Sequence, residues 1–80
     1  MFIVYVIRSD EGLTYTGCTG DFEKRLFQHN NHLAGWTKRG NNWKPVILEE
    51  YETLSEARKR EKWFKTGIGR DYIQKILDAI

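Results

Sequence analysis

Phe2-Ile3-Val4-Tyr5-Val6-Ile7 is apolar at every position, and this run constrains the fold more than anything else in the chain. A short, unbroken β-branched and aromatic run reads as a strand buried on both faces, so other elements must cover the sheet from two sides. It is predicted to be the central strand. A chain of 80 residues has room for one thin-cored domain, residues 1–80, and needs each of its apolar stripes for stability.

The other elements follow from local signals. Leu13 to Cys18, across a polar turn, is the hairpin partner of the first run. Gly20-Asp21 caps a helix expected from Phe22 to Asn31, and Val46 to Glu52, after Pro45, reads as a third strand. Thr53 with Glu56 forms a capping box that opens a second helix, for which Gly67 suits the far end. A last helix from Arg70 to Asp78 carries Tyr72, Ile73, Ile76 and Leu77, with Ile80 beyond, as its apolar face. The fold class is therefore α+β: a three-stranded antiparallel sheet flanked by three helices, in the order β-β-α-β-α-α. One sizeable loop remains, Asn31 to Lys44, and long loops in compact domains tend to be functional.

Helical spacing exposes ionisable groups among apolar ones. In the second helix Leu54, Ala57, Phe64 and Ile68 trace one stripe, and Glu61 occupies its middle. A carboxylate there needs a partner, either a basic side chain or a metal ion. In the first helix Phe22, Leu26 and Leu33 form the stripe, His29 falls inside it, and Arg25 lies at its border. Tyr5 and Tyr15 stand in the two arms of the hairpin. They share a face when their strands pair with an even register sum, and lie directly opposite each other if Arg8 pairs with Gly12.

The net charge of +2 does not announce a polyanion partner, but its distribution does more. Lys38, Arg39 and Lys44 populate the long loop without any carboxylate, and Arg58 to Lys65 is also basic. Trp36 and Trp43 flank the loop's basic residues, and Trp63 is expected opposite the second helix's apolar stripe; exposed aromatics beside positive charge can stack on bases. No apolar run approaches the roughly 20 residues of a membrane span. A single cysteine, Cys18, and the absence of a basic n-region at the start lead to the expectation of a cytoplasmic protein.

Val4-Tyr5-Val6, Tyr15-Thr16-Gly17, the run from Gly17 to Asn30 and the run from Ser55 to Lys65 together resemble the GIY-YIG nuclease superfamily, in particular its small single-domain members. Val4 replaces the first glycine of that pattern and Thr16 the isoleucine of the second tripeptide. The resemblance implies catalytic roles for Tyr5, Tyr15, Arg25, His29 and Glu61, with Glu61 also the protein's ligand to Mg²⁺ or Mn²⁺. It implies DNA as partner, branched or single-stranded forms included, and hydrolysis of phosphodiester bonds with little sequence preference. Lys38, Arg39, Lys44 and Trp36 are the expected nucleic-acid contacts, and the protein is expected to be a monomer or weak homodimer. The alternative is a non-catalytic module on the same fold that binds nucleic acid or a protein.

Overall fold

The computed structural model describes residues 1–80, and its elements are β1 (Phe2–Arg8), β2 (Thr14–Thr19), α1 (Phe22–Asn30), a 3-10 helix (Gly35–Arg39), β3 (Lys44–Tyr51), α2 (Leu54–Phe64) and α3 (Gly67–Asp78). β1 lies between β2 and β3, antiparallel to both, so the apolar run is the central strand. Its side chains alternate between two cores. Val4 and Val6 pack with Ile47, Ala57, Phe64 and Ile73 under α2 and α3, while Tyr5 and Ile7 pack with Trp43 on the face covered by α1.

Three helix caps set the boundaries. The side chains of Asp21, Thr53 and Thr66 accept from the backbone N–H groups of Lys24, Glu56 and Gly69, respectively. The Thr66 cap means that Gly67 opens α3, whereas the sequence reading made it the end of α2 and began the last helix at Arg70. α2 therefore stops at Phe64, and the stripe expected through it is shorter: Ala57 and Phe64 are fully buried, Leu54 and Ile68 are exposed. Leu33 likewise lies beyond α1 and is exposed. α2 and α3 meet closely at Gly69, where an added Cβ would lie 2.5 Å from the Cα of Phe64.

Trp63 is also relocated. Its ring is half-buried against the core, packs edge-on to Phe64 and Tyr72, and carries the Arg60 guanidinium 4.2 Å from its centroid. Arg60 in turn grips Glu49 of β3 through Nε and Nη2, at 2.9 and 3.2 Å, which ties α2 to the sheet edge. Pro45 is tolerated because β3 is an edge strand, and a bulge between Val6 and Ile7 absorbs one residue of register there.

The segment from Asn31 to Lys44 is not a plain loop. Its central turn is the 3-10 helix, and Trp43, expected to flank a basic surface, is buried in the core. Asn30 clamps Trp43 by accepting from its backbone N–H at 2.6 Å and donating to its carbonyl at 3.2 Å, while the indole N–H donates to the Thr37 carbonyl at 3.0 Å. At the far end Asn41 donates from its backbone and side-chain amides to Glu11 in the β1–β2 turn, both at 2.9 Å.

Hairpin register settles the geometry of the two tyrosines. Arg8 pairs with Thr14, so Tyr5 faces Gly17 and Ile7 faces Tyr15. The tyrosines share a face, as an even register sum requires, but are diagonal neighbours and not directly opposed, because the connecting turn is longer than three residues. Gly17 has a physical reason: the Tyr5 ring lies across it, and an added Cβ would sit 2.6 Å from the ring's Cζ. We expect Gly17→Ala to lower stability by about 1–3 kcal/mol by overpacking a buried ring. Urea unfolding of the variant beside wild type checks this; equal midpoints would show that the ring moves aside freely.

Candidate active site

Tyr5 of β1, Tyr15 of β2 and His29 of α1 form one aromatic cluster, with ring centroids 5.1 Å apart for Tyr15 and His29, 5.8 Å for Tyr5 and His29, and 6.3 Å for the two tyrosines. The Tyr5 hydroxyl oxygen lies 2.9 Å from His29 Nε2. His29 Nδ1 lies 2.6 Å from Thr37 Oγ1, whose hydroxyl donates to the Ala34 carbonyl at 2.7 Å. Tyr5, His29 and Thr37 are all enclosed, at 1%, 0% and 1% exposure. Every buried side-chain nitrogen and oxygen of the protein has a hydrogen-bond partner, so this polar string is fully satisfied.

Arg25 stands one turn before His29 on α1. Its guanidinium donates to Gln28 at 3.0 Å and adjoins the two phenols; the neighbouring Tyr5 hydroxyl raises the arginine's own pKa against the opposing effect of burial. Burial pushes the Tyr5 phenol up to about 12, partly opposed by Arg25. Burial, reinforced by the Arg25 charge, lowers the His29 imidazole to about 4. A cleft of about 90 Å³ opens onto this cluster, lined by Tyr15, Arg25, His29, Ala34, Gly35, Trp36 and Thr37.

Glu61 comes from the opposite side of the sheet. α2 packs on the Val4 and Val6 face; burial and then the Glu61 charge raise the pKa of Cys18 on β2, and the same charge is the smallest contribution to the raised pKa of Tyr5. Its side chain is 22% exposed, and its partner is Lys65, one helical turn on at 2.8 Å, itself 54% exposed. The carboxylate is thus neither a core residue nor part of a metal cage: no three His, Cys, Asp or Glu side chains gather anywhere in the chain. A lone, partly exposed carboxylate fits Mg²⁺, which keeps most of its waters and shares its coordination with phosphate oxygens; it does not fit a tetrahedral zinc centre.

Trp36 is 42% exposed and stacks on Tyr15 with 6.3 Å between centroids and 22° between planes, and the Arg39 guanidinium lies 5.6 Å from the Trp36 ring centroid. Lys38 is exposed on the same turn. Lys44 is separate: it lines a different cleft with Arg8, Asp10 and Leu77, sharing no wall residue with the tyrosine cluster. A broader cleft of about 420 Å³ runs along the β2 edge from Tyr15 and Trp36 to Lys65 and Arg70.

The GIY-YIG catalytic domain model matches residues 1–71. The chain belongs to the GIY-YIG family. A UPF0213 protein of Staphylococcus epidermidis is 41% identical over 77 residues, covering 95% of this chain and 94% of its own. A UPF0213 protein of Staphylococcus saprophyticus is 41% identical over 64 residues, covering 79% and 78%. The solution structure of the UPF0213 protein from Bacillus halodurans shares the fold, with a TM-score of 0.57 at 22% identity, over 95% of this chain and 85% of that one.

In this GIY-YIG chain two residues at the clefts escape sequence reading and a third does not. Thr37 carries no pattern of its own, since its position depends on how the 3-10 turn docks. Arg70 belongs to a helix whose start was misplaced. Lys65 was legible, because an i, i+4 spacing from Glu61 marks it, with Arg58 at i−3, as a candidate partner.

Proposed function

We propose that the protein is a divalent-cation-dependent endonuclease that hydrolyses DNA phosphodiester bonds. The observation that carries this reading is the hydrogen-bonded phenol and imidazole of Tyr5 and His29, set beneath the partly exposed Tyr15 and Arg25, with one carboxylate within electrostatic reach. Phosphodiester hydrolysis calls for these group types: a proton acceptor for the attacking water, a cation for charge developing on the phosphoryl oxygens, and an anchor for a metal ion. The phosphodiester meets the partly exposed groups, and the enclosed pair acts from behind them. Arg25 binds the non-bridging oxygens and stabilises their charge. Tyr15, its ring held between His29 and Trp36, orients the attacking water, and the Tyr5–His29 pair takes up its proton. Glu61 would hold a divalent cation, which when bound supplies Lewis-acid stabilisation of the phosphoryl and leaving oxygens.

Lys65 and Arg70, which line the broader cleft, and Lys38 and Arg39, which share the 3-10 turn with Trp36, neutralise the flanking phosphates, with Trp36 as a stacking surface. No helix is long and apolar enough to cross a membrane. The test is a panel of single-stranded, duplex, flapped and branched DNA incubated with Mg²⁺, Mn²⁺ or a chelator, across a salt series. Cleavage that requires the cation, with affinity falling as salt rises, is the expected result. Salt-dependent binding without cleavage under any cation would replace the enzyme by a binding module.

A further inference from the structure

We infer that Thr37 is a positioning residue that locks His29 in the tautomer protonated on Nδ1, leaving Nε2 as the proton acceptor for Tyr5. The proposal rests on the nuclease reading for its consequence but on geometry for its substance. The Thr37 hydroxyl has one hydrogen, and it is committed to the Ala34 carbonyl at 2.7 Å. What remains on Oγ1 is lone pairs, so the 2.6 Å contact with His29 Nδ1 is completed by a hydrogen on the imidazole nitrogen. A neutral imidazole then has its free lone pair on Nε2. Tyr5 demands the same answer from the other end. Its hydroxyl has a single geometric partner, His29 Nε2 at 2.9 Å, and the charged neighbour Arg25 is a donor only. The opposite tautomer leaves the phenolic hydrogen without an acceptor and takes the Thr37 hydrogen away from Ala34.

The chain of donors therefore runs one way, from Tyr5 to His29 to Thr37 to Ala34. As the attacking water forms its bond to phosphorus, its proton passes to the Tyr5 oxygen while the phenolic proton moves to Nε2. The resulting imidazolium keeps both bonds, with Nε2–H donating to Tyr5 and Nδ1–H to Thr37. The P–O bond to the leaving oxygen breaks, that oxygen takes a proton from water, and the extra proton on His29 returns through Tyr5 to the hydroxide so formed. The 3-10 turn, which carries Trp36, Lys38 and Arg39 on its outer side, thereby reaches the buried base through Thr37.

Long-range ¹H–¹⁵N correlation of the histidine rings at pH 7.5 tests the lock in wild-type protein without substrate. A pyrrole-like Nδ1 and a pyridine-like Nε2 for His29 are expected; the reverse pattern overturns the proposal. Thr37→Ser retains the hydroxyl and should keep both the tautomer and cleavage, whereas Thr37→Val should release the tautomer and lower kcat about 10- to 100-fold, as loss of an orienting partner does at metal-bound histidines, with KM little changed. A Thr37→Val protein that keeps the Nδ1–H form, or that loses activity through KM alone, refutes the role. If Thr37→Val does not fold, the wild-type and Thr37→Ser spectra still decide. Absence of cleavage by wild type would sink the nuclease reading and leave the tautomer result standing, and cleavage with an Nε2–H histidine would do the reverse.

Discussion

Glu61→Gln should eliminate cation-dependent cleavage while leaving the fold close to wild-type stability. A bound cation contributes several kcal/mol of charge stabilisation to a phosphoryl transition state, which at 1.36 kcal/mol per decade is about 10³-fold in rate. The neutral amide keeps the side chain's size and loses the charge. Stability should move by at most about 1 kcal/mol, since the Glu61–Lys65 pair is an i, i+4 pair whose lysine is 54% exposed. A carboxylate buried in the apolar stripe would have implied a loss of about 3–5 kcal/mol on breaking its pair; the partly exposed position of Glu61 removes that expectation. Thermal melts without metal, run beside the cleavage assay, separate the two effects. An active Glu61→Gln protein would exclude Glu61 as the metal anchor, and an inactive one melting far below wild type would assign it a structural role.

Acid should destabilise this protein through His29. In the fold the imidazole is held down at about 4 from an ordinary 6.5, chiefly by burial and then by the Arg25 charge. Above pH 6.5 both folded and unfolded forms are neutral at this position and stability is at its full value. Between pH 6.5 and 4 the unfolded chain binds a proton that the folded chain resists, so stability falls as pH falls, and the fall ends below pH 4. The groups facing His29 are Tyr5, Tyr15 and Arg25, of which only Arg25 is charged across this window. Because the imidazolium can keep Tyr5 and Thr37 as acceptors, the total is on the order of 2 kcal/mol, less than the full linkage value. Urea titrations at intervals of pH on wild type and on His29→Gln measure it. The variant should lose the slope between pH 6.5 and 4, and an unchanged slope would place the acid sensitivity in the carboxylates.

His29 also shows how far a sequence can be read. Its place in the apolar stripe of α1, and the family pattern of tyrosines, arginine, histidine and glutamate, were legible because helical spacing and strand alternation are local properties. The all-apolar β1 likewise determined a central strand covered on both faces, and with the capping residues it determined the element order. Glu61 was read from the same spacing, but its burial was overstated, because a stripe drawn through Leu54 and Ile68 ignores the Thr66 cap that ends α2 and opens α3. Side-chain hydrogen bonds at helix ends decide such boundaries, and a threonine can serve many of them.

What only the tertiary structure decided lies in contacts between distant segments. Trp43 reads as a loop aromatic until Asn30, 13 residues away, clamps it into the core. Gly17 reads as a family letter until hairpin register lays the Tyr5 ring across it. Thr37 has no sequence signal at all, yet it closes the hydrogen-bond chain behind Tyr5 and His29. Periodicity tells which face a side chain takes, since that follows from backbone geometry alone; which polar atom it meets there depends on how a 3-10 turn docks against a helix, and that is fixed by packing over the whole domain.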